Sequence, residues 1–261
     1  MKKLFALALA LVLVLSCAAM AEGGDLLSKI RERGTIVIAT EGDWSPWTYR
    51  DDSGEWTGLE IEIGNLIAEG LGVEADFQKT PWDAILAGVD SGRFDIACNG
   101  VGVTDERAEK YAFTEPYLYT EVVLVVRADN EEIKTTDDLD GKNTANTASS
   151  TYAAIAEAKG AKVTPVDNLA ETIMLVEQGR VDATINAKAS IEDYLAEQPD
   201  ANIKIVQVLD EGEPVAYPVR KGEETETLLA AINEILEAAR QDGTLGAISE
   251  KYLGVDLTKG E

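Results

Sequence analysis

The sequence predicts an α/β protein built as two similar lobes, with mixed, mainly parallel sheets joined by a two-stranded hinge and a ligand cleft between the lobes. Three observations carry that expectation. Short β-branched runs alternate with apolar segments of helical period, an eight-residue pattern occurs twice, and two apolar stretches are placed to pass from one lobe to the other.

The alternation starts with Thr35-Ile36-Val37-Ile38-Ala39-Thr40, a strand followed by a loop rich in Trp, Pro, Asp and Gly. Leu59, Ile63, Leu66, Ile67 and Leu71 then recur at helical spacing until Gly72. A second helix carries Trp82, Ile85, Leu86 and Val89 and ends at Gly92, and a buried strand over Phe94 to Cys98 follows at once. This order argues for parallel sheets with helices on both faces.

The repeat is the most informative feature. Gly92-Arg93-Phe94-Asp95-Ile96-Ala97-Cys98-Asn99 reads as helix end, turn and strand, and Gly179-Arg180-Val181-Asp182-Ala183-Thr184-Ile185-Asn186 places Gly, Arg, Asp and Asn at the same offsets. In open α/β sheets, ligands sit beyond the carboxyl ends of the strands. Asn99-Gly100 and Asn186-Ala187 are therefore expected to face each other across the cleft. Glu121 to Arg127 reads as the strand leaving lobe one, and Pro214 to Val219 as the return. The expected division is lobe one over 25–120 and 217–261, lobe two over 125–212, and crossings at 121–124 and 213–216. The final helices, Leu228 to Tyr252, complete lobe one.

Composition narrows the function. The chain of 261 residues carries 48 Asp+Glu against 23 Lys+Arg, a formal charge of -25, which argues against nucleic acid and anionic membrane surfaces. It has no histidine, so a His-based triad or zinc site is excluded. Lys2, Lys3 and the apolar run Leu4 to Leu15 predict an export signal over 1–21, too short to span a membrane comfortably. Ala19-Met20-Ala21 offers ordinary cleavage, and Val14-Leu15-Ser16-Cys17 a looser lipoprotein box that would anchor the protein through Cys17; ordinary cleavage is slightly preferred. Beyond the signal only Cys98 remains, which excludes an internal disulfide.

Several residues are candidates for ligand contact. Asn99 to Arg107 leaves a strand, passes Gly100 and Gly102, and enters a helix capped by Thr104. The glycines let backbone N–H groups approach a ligand, and the Arg107 guanidinium can take a carboxylate with two parallel hydrogen bonds. The plain alternative is an Arg paired with Asp105 or Glu106. Ser149, Ser150 and Thr151 open a helix, where hydroxyls and free N–H groups favour an anion, although a simple N-cap explains the serines equally well. Trp44 and Trp47 flank Pro46 and form either an aromatic wall for a ligand or part of the core, and Trp56 and Trp82 read as core or rim. Glu41 closes the first strand and is placed either to meet an amine or to remain solvated. No G-x-S-x-G, phosphate loop or metal-ligand cluster is present, so neither catalysis nor a cofactor is indicated.

Taken in order, Trp44-Ser45-Pro46-Trp47, Gly58-Leu59-Glu60-Ile61-Glu62, Ser91-Gly92-Arg93-Phe94-Asp95, Thr104-Asp105-Glu106-Arg107, Phe113-Thr114-Glu115-Pro116-Tyr117 and Gly179-Arg180-Val181-Asp182-Ala183 resemble the family 3 extracellular solute-binding proteins, the polar amino acid-binding proteins of ABC importers. The resemblance covers Thr35 to Tyr252. It implies a type II periplasmic binding fold, no enzymatic activity, an amino acid or related zwitterion as ligand, an ABC permease as partner, and a monomer in the periplasm or outside the cell. It also implies that Arg107 binds the α-carboxylate with the amide of Gly102 and the segment Ser149 to Thr151. The Gly100 carbonyl would receive the α-ammonium, Trp44 would pack on the ligand side chain with Leu59 opposite, and Glu41 would reach a side chain or amine. Two departures stand out: Gly102 where relatives often carry a hydroxyl, and Ala187 where they usually carry the acid that holds the ammonium. An enzyme on the same scaffold, such as a dehydratase or peptidoglycan lyase, and a sensor module for a separate receptor are the alternatives.

Overall fold

The computed structural model describes residues 24–209 and 212–259; the expected export signal, the Ala21 cleavage site and Cys17 lie outside the described residues. Helix α1 (Leu26–Arg33) starts on an Asp25 cap that accepts the Ser28 N–H at 2.9 Å, and leads into strand β1 (Thr35–Thr40). β1 is the middle of a parallel three-stranded sheet, between β4 (Glu74–Lys79) and β5 (Ile96–Ala97). Between them lie a small antiparallel pair, β2 (Tyr49–Arg50) with β3 (Trp56–Thr57), and two helices, α2 (Leu59–Leu71) and α3 (Trp82–Asp90). α2 ends where Gly72 turns left-handed, as its spacing predicts. The expected strand over Phe94 to Cys98 is regular only at β5, because the flanking residues turn into loops as they approach the site.

The short helix α4 (Asp105–Lys110) starts on Thr104, whose hydroxyl accepts the Arg107 N–H at 3.1 Å. Two strand pairs follow: β6 (Tyr111–Phe113) pairs with β14 (Pro218–Arg220), and β7 (Leu118–Thr120) with β13 (Glu213–Val215). The second sheet has five strands, in the order β10 (Lys162–Pro165), β9 (Asn143–Asn146), β11 (Ala183–Ala187), β8 (Val122–Arg127) and β12 (Ile203–Val208). It is parallel from β10 to β11 and antiparallel on both sides of β8. Helices α5 (Thr151–Ala158), α6 (Leu169–Glu177) and α7 (Lys188–Glu197) belong to this lobe, while α8 (Glu226–Gln241) and α9 (Thr244–Leu253) return to pack on α2.

One expectation is corrected. Residues 121–124 are not a crossing, since β8 is an interior strand of the second sheet from Val122 onward. Val122, Leu124 and Val126 face one apolar cluster, and Val123 and Val125 face the other. A strand covered on both faces reads as an unbroken apolar run, which is also how a crossing strand reads. The crossing strand is β7, paired with β13 on the return.

The sequence repeat has a physical counterpart. Asp95 accepts the Val37 N–H of β1 at 2.8 Å, and Asp182 accepts the Asn143 N–H at the start of β9 at the same distance. In each lobe the aspartate at a strand entrance satisfies a backbone donor of a neighbouring strand. The preceding glycines, Gly92 and Gly179, are both left-handed, at φ +73° and +64°. No helix of the described residues is long and apolar enough to cross a membrane.

Candidate functional site: a cleft between the lobes

The loops after β1 and β5 in the first lobe face the α5 and α6 starts and the end of β11 in the second. Between them lies a partly open cavity of about 50 Å³, lined by Glu41, Trp44, Gly100, Gly102 and Arg107 from one side. Ser150, Thr151 and Asn186 line it from the other. The two loops expected to face each other therefore do so through Gly100 and Asn186.

Arg107 is nearly buried, and its partners are carbonyls rather than Asp105 or Glu106. One guanidinium nitrogen donates to Gly102 O at 2.8 Å and the other to Ser149 O at 2.9 Å, while the plane lies 5.5 Å from the Trp82 ring centre. Burial pulls its pKa down, opposed by Glu213, yet a guanidinium remains charged at any physiological pH. A fixed cation with N–H groups left over beside a helix start is suited to a carboxylate. Ser150 caps α5 by accepting the Ala153 N–H at 3.1 Å and also lines the cavity, so cap and site coincide.

Glu41 is the acidic counterpart. Its backbone N–H donates to Asn99 Oδ1 at 2.7 Å, and its carboxylate accepts from Asn99 Nδ2 at 2.7 Å. Burial pushes its pKa up to about 7, with Asp43 and Asp83 adding to the effect and Asn99 and Lys79 opposing it. Asn99 is thus fully buried behind Glu41 and is not part of the cavity wall. Gly100 sits at φ +55°, and a Cβ there would lie 2.9 Å from the Trp44 ring, so the residue must be glycine for backbone shape and for clearance alike.

Other candidates take different places. Leu59 is fully buried in the core with Trp47 and is absent from the cavity wall. Trp47 stacks on Trp44, ring centres 5.0 Å apart, and its indole N–H reaches Ser190 of α7 at 3.1 Å. Ser149 is not in the cavity wall: its N–H donates to Asp83 at 3.1 Å, its hydroxyl donates to the same carboxylate oxygen, and its carbonyl receives Arg107. Ala187 is fully buried and offers no charge; its N–H is taken by Asn186 Oδ1 at 2.9 Å. Sequence reasoning missed Asp43, Thr147, Tyr152, Asn168 and Leu169 as lining residues and left Trp82 as core or rim. The buried indole nitrogen of Trp82 has no hydrogen-bond partner among the described residues, leaving a donor beside the cavity. Position after a strand end could have marked Asp43 and Thr147, but nothing local marks the others.

Hydrogen bonds from Asp83, Arg107 and Trp47 to lobe two hold the lobes together across the cleft. Replacing Asp83 by alanine is expected to weaken ligand binding about fivefold, because a contact that joins the two lobes across the cleft is lost. Titration calorimetry checks this, and an unchanged affinity would remove Asp83 from closure.

Two lobes, a two-stranded hinge and a cleft with a fixed cation facing a buried carboxylate define a protein that captures a small zwitterion, with no cluster among the described residues able to hold a metal. Residues 36–255 match the bacterial extracellular solute-binding proteins, family 3, and the chain belongs to that family. It is 36% identical over 259 residues to a probable amino-acid ABC transporter-binding protein of Haemophilus influenzae, covering 99% of this chain and 100% of the relative. It is also 36% identical to the L-cystine-binding protein TcyA of Bacillus subtilis, over 96% of this chain and 98% of that one. The solved structure of an ancestral arginine-binding protein bound to arginine superposes with a TM-score of 0.79 at 34% identity, covering 85% of this chain and 99% of that one. The chain is a solute-binding protein and not an enzyme of the same scaffold.

Proposed function

We propose that this protein binds an amino acid carrying a second cationic group remote from its α-carboxylate and delivers it to the permease of an ABC importer. The observation that carries this reading is the charge of the cavity. Among its described lining residues Arg107 is the one cation, whereas Glu41 and Asp43 are both acidic and stand with the planes of Trp44 and Trp82. One carboxylate is matched to Arg107, and two positive groups are matched to the acids and the aromatic faces. Arginine, held by the ancestral protein, has one carboxylate with an ammonium and a guanidinium, whereas L-cystine, for which the Bacillus subtilis relative is named, has an ammonium and a carboxylate at each end, so its far carboxylate must stay clear of the acids. Glu41 takes the part left vacant by Ala187, since it is the buried carboxylate of the cavity and an arriving cation restores its charge.

The protein works as an exported monomer, periplasmic or extracellular, released at Ala21 or anchored through Cys17. Lobe one comprises 25–117 and 217–259, lobe two the residues from 122 to 209, and ligand contact with both favours the closed form. Calorimetry with L-cystine, L-arginine and L-lysine against L-leucine and L-glutamate tests the ligand. The first group is expected to bind, and Glu41→Gln to weaken it about tenfold, more at pH 8 than at pH 5.5, because Glu41 gains its charge between those values. Equal binding of L-leucine, or a Glu41→Gln variant that binds as well as the parent, would overturn it.

A further inference from the structure

We propose that Glu213 sets the affinity of the Arg107 clamp: its carboxylate fills the space a side chain at position 102 would need and stands as a second anion beside the guanidinium. The inference rests on the reading of Arg107 as the carboxylate site. It starts from a close approach in the backbone. Gly102 forms an antiparallel bridge with Val215, and Val103 N–H donates to Pro214 O at 2.9 Å, so the loop holding the clamp is tied directly to the return strand β13. Glu213 at the start of β13 reaches back over this junction. A Cβ at Gly102 would lie 2.0 Å from Glu213 Oε1 and 2.5 Å from its Cδ, so a side chain at 102 requires the Glu213 carboxylate to swing aside.

The same carboxylate lies beside the Thr151 hydroxyl, at the start of α5 in lobe two, and within electrostatic reach of Arg107. It therefore meets the clamp loop, the hinge and the opposing lobe at one point. Burial raises its pKa, while Thr151 and Arg107 favour its charged form. The other titratable groups that bear on it are Tyr152, whose hydroxyl feels Glu213, Arg107 and Glu41, and Glu106 and Tyr111, which act on Arg107. A ligand carboxylate entering beside Arg107 adds a negative charge next to Glu213. Binding then favours the protonated form of Glu213, which removes the repulsion, and the clamp strengthens as the pH falls. Glu41 acts with the opposite sign on an ammonium, but it is common to the parent and the Glu213 variants and cancels in their ratio.

The experiment is calorimetry of the purified chain with L-arginine and L-cystine as probes, at pH 5.5 and pH 8. Glu213→Gln is expected to bind the probes about fivefold more tightly than the parent at pH 8, with the difference narrowing at pH 5.5, because burial favours uptake of a proton by the parent's carboxylate as the pH falls. Gly102→Ser is expected to displace the Glu213 carboxylate and change the affinity by about threefold, and Gly102→Ser/Glu213→Ala to return it to that of Glu213→Ala alone. The same Glu213→Gln/parent ratio at both pH values, or a double variant that does not return to the affinity of Glu213→Ala, overturns the inference while Arg107→Ala still abolishes binding. If Arg107→Ala binds the probes normally, the clamp reading itself falls. If neither probe binds the parent, both fall together.

Discussion

Arg107→Ala is expected to lower amino-acid affinity by about 100-fold or more. Two charge-assisted hydrogen bonds to a carboxylate in a water-poor cleft are each worth roughly 1.5–3 kcal/mol, and every 1.4 kcal/mol is about tenfold in affinity. The alanine variant also loses the donors that Arg107 gives to Gly102 and Ser149, so the clamp loop and the opposing lobe are no longer fixed relative to each other. Arg107→Lys keeps the charge but not the planar fork, and should recover only part of the loss. The comparison separates charge from geometry. Calorimetry reads the affinity, and the melting temperature without ligand shows whether the fold survives. A lysine variant as good as the parent would mean that charge alone matters, and an alanine variant as good as the parent would remove Arg107 from the site.

The second large effect concerns Glu60, a residue the sequence presented only as part of a family motif. Glu60 lies in the first turn of α2 and is fully buried. One carboxylate oxygen accepts the Gly100 N–H at 2.8 Å and the Tyr117 hydroxyl, while the other, and the hydroxyl of Tyr217, have no hydrogen-bond partner among the described residues. Tyr117 and Tyr217 stack with ring centres 4.3 Å apart, closing the pocket around the acid. Burial pushes the Glu60 pKa from 4.5 up to about 7, against the pull of the Tyr117 hydroxyl and the Gly100 amide.

The unfolded chain releases this proton near the ordinary carboxyl value and the native protein only near 7, so between those values the native state binds more protons. Stability contributed by the neutral acid is present at low pH and is lost as the pH climbs through that window. The loss is about 3.5 kcal/mol for Glu60 taken alone, and Glu41, raised in the same direction, adds to it in the ligand-free protein. Glu60→Gln keeps an acceptor for Gly100, adds a donor for Tyr217, and removes the charge. It is expected to raise the melting temperature by about 5 °C at pH 8 and to leave it unchanged near pH 4.5. Thermal unfolding at the two pH values decides this. A variant less stable than the parent at pH 8 would show that the ionised acid is held more favourably than its burial implies.

Much of the architecture was legible because it is written locally. Helices α2 and α3 announce themselves by apolar residues at helical spacing and by the glycines that stop them. The aspartates of the repeated pattern, Asp95 and Asp182, mark strand entrances because each satisfies a donor of a neighbouring strand in its own lobe. Glu41 and Gly100 could be placed near a cleft because they follow the carboxyl ends of strands, Asn186 because it lies at the end of one, and Arg107 because a glycine-bearing loop leads from a strand into its helix. Leu59, Asn99 and Ser149 were assigned to the ligand by their place in the chain, yet they act behind the wall or across the lobes. The polarity of Asn99 and Ser149 is spent on Glu41 and Asp83, and Leu59 on the core.

The sequence by itself determined the two-lobed α/β class and the absence of histidine chemistry and marked Arg107 as a candidate, since these depend on periodicity, composition and residues a few positions apart. Only the tertiary structure decided that Val122 begins an interior strand rather than a crossing, that Trp82 and Asp43 join the cavity, that Asp83 holds Ser149, and that Glu213 stands over Gly102. Each of these is a contact between residues far apart in the chain. Side-chain type shows that such a residue can bond or bury, but its partner is chosen by how strands order and lobes close, and a pattern read along the chain carries no record of that choice.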